Sequence, residues 1–257
     1  MSPREALLMI PGFAHARVLG QLADGPASAS WLVENAEGRF VLRVDTPQTK
    51  DLGLDRAAET EVQAAVAQAG LTPPVVFSAP DRGVSLRPHL EGRAWTAADL
   101  DSDTNLKRVA ALLGKLHALP PVGPRFEPGR AIRRYADSMG TPDARKRADE
   151  ANVLLAELRD PPPRECLCHN DPVAGNLIDD GEHLWPIDWE FAGIGDPMFD
   201  LAVVMEHHGL APSLREGLLH AYLCREPRHT EVLRMNAWCH FYRILLHVWN
   251  RRIGLPG

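Results

Sequence analysis

Around residues 88–92 the apolar rhythm of this 257-residue chain changes. Before that point short apolar runs alternate with turn residues; beyond it apolar residues recur every three or four positions. Alternating runs belong to strands and a period near 3.6 to amphipathic helices, so two textures mean two differently built parts. Residues 28–34 and 39–44 read as strands joined by the polar turn Asn35-Ala36-Glu37-Gly38. Residues 54–69 carry Leu54, Ala58, Val62, Ala65, Val66 and Ala69 at helical spacing and end at Gly70. Residues 75–78 and 84–87 read as two more strands around Asp81-Arg82-Gly83. The expected fold class is α+β in two lobes. A small antiparallel sheet with one helix occupies residues 1–88, a hinge residues 89–92, and a larger, mainly helical lobe residues 93–257. A cleft between lobes is where a ligand normally sits.

In the second part, Leu106, Val109, Ala110, Leu113, Leu116 and His117 mark an amphipathic helix that Pro120-Pro121 stops. A further helical pattern covers residues 143–158, before three consecutive prolines. Residues 166–189 read as strand and turn, and from Met198 the pattern is helical nearly to the end, with breaks near Pro212 and Pro227.

Composition excludes several classes. With 45% hydrophobic and 24% charged residues and no long biased tract, the chain suits a soluble globular protein. No stretch approaches the roughly 18 apolar residues of a membrane span, so a cytoplasmic location is expected. Four cysteines do not make a disulfide framework, and Cys166-Leu167-Cys168-His169 fits no common zinc spacing. A net charge of −6 argues against nucleic acid as partner. Between Arg164 and Arg215 there is no Lys or Arg but ten carboxylates, among them Asp171, Asp188 and Glu206. That run suits a divalent metal and cationic ligands, or else a solvated acidic face.

The chemistry concentrates in CHNDPVAGNLI (168–178) and LWPIDWEFAGIGDPMFDLA (184–202). Phosphoryl transfer needs a carboxylate to position the attacking hydroxyl and metal ligands to hold the phosphates. Asp171 precedes Asn176 by five positions, the spacing of a kinase catalytic loop. Asp188 follows Asn176 by twelve, with Asp179-Asp180-Gly181 as a turn, so a short hairpin would return Asp188 to Asn176. One Asp and one Asn oxygen, completed by phosphate and water, suit magnesium. Singly, each of these residues is as well explained as a turn, cap or core residue. The ordered set His169, Asp171, Asn176, Asp188, Asp200 is what departs from chance.

HNDPVAGN and IDWEFAGIGDPMFDLA resemble the catalytic and metal-binding motifs of the aminoglycoside phosphotransferase, choline kinase and thiamine kinase superfamily, and the IDWE and FDLA forms lean toward the choline and thiamine kinase branch. The resemblance implies a protein-kinase-like fold with ATP in the interlobe cleft. It makes Asp171 the catalytic base, Asn176 and Asp188 the Mg2+ ligands, His169 a buttress of the loop and Asp200 a hydrogen-bonding brace. In Phe40-Val41-Leu42-Arg43-Val44, Arg43 stands where a basic residue pairs with the ATP phosphates, Arg replacing the commoner Lys; the alternative is an exposed strand arginine. Glu59, on one helix face with Val62 and Val66, is the carboxylate partner chosen over Glu61. The phosphate loop would be Asp24-Gly25-Pro26-Ala27-Ser28-Ala29-Ser30, with Ser28 at the nucleotide, and it is poor in glycine. Backbone groups of His89, Leu90 and Glu91 would meet adenine.

The expected acceptor is a small, cationic alcohol such as choline, ethanolamine or thiamine, with an aminoglycoside or sugar as the alternative. Glu206, Trp189, Trp238 and Tyr242 are the candidate substrate-binding residues, since aromatic faces attract quaternary ammonium; helical spacing of Trp238, Tyr242 and Trp249 equally suits plain helix packing. Two other classes stay open: an ATP-binding pseudokinase and a metal-dependent hydrolase built on the Cys/His cluster. A protein kinase fits less well, because Asp-Trp-Glu replaces Asp-Phe-Gly.

Overall fold

The computed structural model describes residues 1–158 and 164–255. Its first part is a five-stranded antiparallel sheet. The strands are β1 (Arg17–Asp24), β2 (Ser28–Asn35), β3 (Gly38–Asp45), β4 (Phe77–Ala79) and β5 (Val84–Pro88), in the order β1-β2-β3-β5-β4. The β2–β3 hairpin pairs Asn35 with Gly38 across a two-residue turn, as its polar tetrapeptide predicts. Helix α1 (Pro3–Leu8) closes one face of the sheet, burying Ala6 and Leu7 beside Phe40, Leu42 and Leu86. Sequence periodicity missed α1 because it has only six residues and rests on a Ser2–Glu5 capping box.

Two helices connect β3 to β4: the single turn α2 (Thr49–Leu52) and α3 (Arg56–Gln68). Asp55 caps α3, its carboxylate accepting from the amides of Ala57 and Ala58 at 3.0 Å. The buried Val62 and Val66 of α3 belong to the core of the larger part, not to that of the sheet. The helix is therefore the element through which the two parts pack.

The larger part contains α4 (Asp103–His117), α5 (Pro128–Met139), α6 (Pro142–Glu157), α7 (Pro197–His207), α8 (Pro212–Leu223) and α9 (His229–Arg252). Between α6 and α7 run the short strands β7 (Cys166–Cys168), β8 (Leu177–Asp179), β9 (Leu184–Pro186) and β10 (Gly193–Gly195), while β6 (Arg93–Ala94) follows β5 and pairs with β8. Helix α7 is buried on all sides from Pro197 to Glu206, the state expected of a helix without a polar face. Asp196 caps it by accepting from the Met198 amide and also accepts from Trp238 Nε1 at 2.7 Å, which ties α7 to α9. The largest fully buried side chains include Trp189, Phe199 and Phe241.

Gly92 sets how closely the segment after β5 approaches this part. Its φ is +150°, and a Cβ there would lie 2.6 Å from the carbonyl oxygen of Asp179 on β8. Both the backbone conformation and the close approach require glycine. Among the described residues no helix is long and apolar enough to cross a membrane.

Candidate active site

The β8–β9 hairpin does what its length predicts. Leu177 pairs with Pro186, and the Ile187 amide donates to the Asn176 carbonyl at 2.9 Å, so Asp188 emerges beside Asn176. Asn176 Nδ2 donates to Asp171 Oδ2 at 2.9 Å and to the Asp171 carbonyl at 3.0 Å. Asp171, Asn176 and Asp188 thus converge at one end of the cleft. Asn170 (φ +64°) and Asp188 (φ +66°) both adopt left-handed backbone conformations. Such positions cost about 1–3 kcal/mol for a non-glycine residue and cluster at functional sites.

A network of hydrogen bonds holds these loops. Fully buried Asp200 accepts from the His169 amide at 2.9 Å, the Asn170 amide at 2.7 Å and His117 Nε2 at 2.9 Å. His117 Nδ1 in turn meets the Tyr222 hydroxyl at 2.9 Å. His169 bridges the two loops: Nε2 donates to the Ile187 carbonyl at 3.0 Å, so Nδ1 is free to accept from the Asp171 amide at 3.3 Å. Burial lowers the pKa of His169, which keeps it in the neutral form this pairing needs. On the other side of the loop, His208 Nε2 accepts from the Ala174 amide at 3.0 Å.

Arg43 of β3 makes a two-pronged ion pair with Glu59 of α3, at 2.7 and 2.8 Å. Glu59 is 1% exposed and also accepts from Arg56 at 2.8 Å and Gln63 at 3.0 Å. Burial opposes the charge of Glu59, but the Arg43 and Arg56 guanidiniums outweigh it and hold the carboxyl below its usual range. Arg56 continues the chain of charges, to Asp45 through Nε and to Glu190 at 3.0 Å. Asp188 lies at the edge of this cluster, 3.9 Å from Arg43, with its side chain 41% exposed. Burial, reinforced by the Asp188 and Glu190 carboxylates, raises the Asp171 pKa well above the ordinary range; burial and Asp188 push Glu190 to about 7. Asp171, Asn176 and Asp188 together offer a hard oxygen donor set, which fits a divalent cation such as magnesium.

A cavity of about 470 Å³ is lined by Asp171 together with Ala58 and Glu59 of α3. Tyr135 and Trp249, with ring centroids 5.1 Å apart, line it together with Phe126, Phe191 and Tyr242. The Tyr242 hydroxyl meets His207 Nδ1 at 2.9 Å. Of the four aromatic and acidic residues expected to bind substrate, only Tyr242 reaches this cavity. Glu206 does not: its carboxylate is 4% exposed and is held by Arg215 and by Arg243 at 3.0 Å. Trp238 is turned toward Asp196, and Trp189 is buried against His169 at 4.6 Å between ring centroids. Tyr135, Phe126, Phe191 and His207 line the cavity although the sequence reading did not select them. The acidic run also changes meaning. Glu165, Asp179, Glu190, Asp196 and Glu206 each meet an arginine from outside it: Arg125, Arg108, Arg56, Arg234 and Arg215 respectively.

The remaining candidates, Ser28 and residues 89–91, lie in the sheet and just beyond its last strand. Ser28 opens β2, and its carbonyl accepts from the Gly25 amide at 3.0 Å, closing the β1–β2 turn. The His89 amide donates to the Arg39 carbonyl at 3.0 Å, while Leu90 is half-buried and Glu91 exposed. Cys166 and Cys168 are buried with their sulfurs 3.6 Å apart, and the histidine beside them is His117, not His169. Both ring nitrogens of His117 are already engaged, by Asp200 and Tyr222.

Comparison with known proteins agrees with this geometry. Residues 19–235 match the phosphotransferase enzyme family (APH). Thiamine kinase of Shigella boydii is 31% identical over 196 residues, a match covering 70% of this chain and 63% of that protein. This chain therefore spans a little under two thirds of that relative. A choline/ethanolamine kinase family protein from Mesorhizobium loti superposes with a TM-score of 0.79 at 25% identity, over 96% of this chain and 84% of that one. LicA in complex with AMP shares the fold at a TM-score of 0.80 and 18% identity, over 97% of this chain and 88% of that one. With its two-lobed protein-kinase-like fold, this chain belongs to the phosphotransferase enzyme family of small-molecule kinases, which includes the choline, thiamine and aminoglycoside kinases.

Proposed function

We propose that the protein transfers the γ-phosphoryl group of ATP, with magnesium, to the hydroxyl of a small cationic alcohol of the choline, ethanolamine or thiamine type. The observation that carries this reading is the position of Asp171. Its carboxylate accepts from Asn176 Nδ2, and the same residue lines the aromatic cavity. A hydroxyl held in that cavity meets Asp171, which accepts its proton as the oxygen attacks phosphorus. Asn176 gives its amide nitrogen to Asp171 and so has its oxygen left for the cation, with Asp188 as second ligand. Magnesium bound there would neutralise charge on the phosphate oxygens. Arg43, fixed by Glu59, faces the phosphates; the backbone of His89, Leu90 and Glu91 faces adenine, and Ser28 caps the phosphate turn. Residues 1–88 would then serve the nucleotide, residues 89–92 act as hinge, and residues 93–257 hold acceptor and catalyst. His169 and Asp200 keep the loop in place.

The aromatic lining supports a cationic acceptor, because a quaternary ammonium over a Tyr or Trp face gains about 0.5–2 kcal/mol per contact. Tyr242, Tyr135 and Trp249 line the cavity, and Arg252 already lies over the rings of Tyr135 and Trp249, at 5.2 and 5.7 Å. Glu190 also lines the cavity wall, with its carboxylate held by Arg56 at 3.0 Å. The names of the thiamine kinase and choline/ethanolamine kinase relatives point to the same class. The reaction would run in the cytoplasm, where ATP and reduced thiols are maintained.

The test is magnesium-dependent ADP release across choline, ethanolamine, thiamine, several aminoglycosides and several sugars. Stimulation by one of the first three supports the reading. Stimulation by aminoglycosides or sugars alone would replace the acceptor class, and nucleotide binding without turnover on any acceptor would favour a pseudokinase.

A further inference from the structure

The cleft holds a second cationic side chain that the site as described leaves unused. Arg87 is on β5, and in the β3–β5 register Val41 faces Arg87 and Arg43 faces Ser85. Directly paired residues of an antiparallel sheet project to the same face, and so do alternate residues along a strand. Arg87 therefore shares the cleft face with Arg43. Burial pushes its pKa down, and the charges felt there are those of Asp188, Arg43 and Glu59. Asp188 is itself 3.9 Å from Arg43, the residue with which Arg87 shares this face.

What separates Arg87 from its neighbours is the lack of an acceptor. Arg43 has Glu59, and Arg56 has Asp45, Glu59 and Glu190. Glu59 already accepts four hydrogen bonds. The Arg87 side chain makes no hydrogen bond or ion pair with any described residue. A guanidinium stays charged at all physiological pH, and holding that charge in a partly desolvated position without a partner is unfavourable. An incoming anion would remove the cost.

The β1–β2 turn supplies the complementary observation. A phosphate-cradling loop normally offers several backbone amides over a run of glycines. Here Gly25 is the one glycine between Asp24 and Ser30, and its amide is already committed to the Ser28 carbonyl. Donors missing from the loop have to come from elsewhere in the cleft.

We propose that Arg87 is a nucleotide-binding residue whose guanidinium, together with Arg43, takes up phosphate oxygens of the nucleotide in place of loop amides. This inference rests on the kinase reading above. A charge-assisted hydrogen bond contributes enough to change affinity about ten-fold or more. The experiment is calorimetric binding of ATP, ADP and adenosine, with magnesium, to wild type, Arg87→Met and Arg87→Lys. In Arg87→Met the Kd for ATP and ADP should rise about ten-fold or more while that for adenosine is unchanged, and Arg87→Lys should recover part of the loss. Because the guanidinium has no intramolecular partner, the ligand-free Arg87→Met protein should melt no lower than wild type; a large drop in Tm would show a structural role and overturn the proposal. Unchanged ATP affinity would overturn it as well, and so would an equal loss for ATP and adenosine, which would place Arg87 at the base. If wild type bound no nucleotide at all, the kinase reading would fall first and this inference with it.

Discussion

Replacing Asp200 by Asn tests the brace beneath the catalytic loop. Each carboxylate oxygen faces at least one buried N–H: Oδ1 the Asn170 amide, and Oδ2 both the His169 amide and His117 Nε2. An amide has one oxygen, so whichever way the Asn side chain turns, its NH2 group points at a backbone N–H that it cannot satisfy. At least one hydrogen bond to a charged acceptor is lost, worth about 1.5–3 kcal/mol, and a buried donor is stranded at about 1–3 kcal/mol. Relief of burying a charge offsets part of this, so the net loss should be about 3 kcal/mol. Urea unfolding followed by fluorescence measures it directly, with stability extrapolated to water. Turnover should fall as well, since His169 and Asn170 lead straight into Asp171. A loss under about 1 kcal/mol, with turnover unchanged, would refute the reasoning that Asp200 holds the loop through these bonds.

Further expectations concern other parts of the frame. Glu59→Gln keeps the shape but removes the charge that Arg43 and Arg56 share, and should destabilise by about 3 kcal/mol in the same urea assay, as for one partner of a buried ion pair. His208 is held to a pKa of about 4 by burial and by the neighbouring His207, below the usual value near 6.5. Its stabilising contribution is therefore full above about pH 6.5 and is lost as pH falls toward 4. His208→Gln, which can still accept from Ala174 but does not titrate, should flatten the fall of Tm between those pH values; parallel Tm profiles would contradict this. Gly92→Ala places a Cβ against the Asp179 carbonyl in a strained conformation and should lower Tm by several degrees, consistent with a loss of about 1–3 kcal/mol.

What the sequence showed and what it concealed follow from how local each signal is. The β2–β3 hairpin, α3, α4 and α6 were legible because strand runs, helical spacing and turn residues lie within a few positions of one another. Strand β1 was not, because all eight of its residues are exposed and no buried face gives it a pattern. Helix α5 was hidden by Arg130, Arg133 and Arg134, which interrupt the apolar Ile132–Tyr135–Ala136 face. Pro128 at its start and Gly140 at its end were the signals that would have found it, and with it Tyr135 of the cavity. Asp171, Asn176 and Asp188 were readable because one loop and one short hairpin carry all three. The Arg56–Glu190 link spans 134 positions and has no local trace. For the same reason the acidic run looked like a cation-binding surface, although arginines outside it neutralise half of its carboxylates.

The most direct test of the central claim compares wild type with Asp171→Asn in the acceptor-stimulated ADP-release assay, with nucleotide affinity measured in parallel. Turnover should fall about 100-fold or more, as expected for loss of a positioned base, while the Kd for magnesium–ATP stays close to wild type. Wild-type turnover by Asp171→Asn would contradict the account, since the proton of the attacking hydroxyl would then leave without the Asp171 carboxylate to accept it.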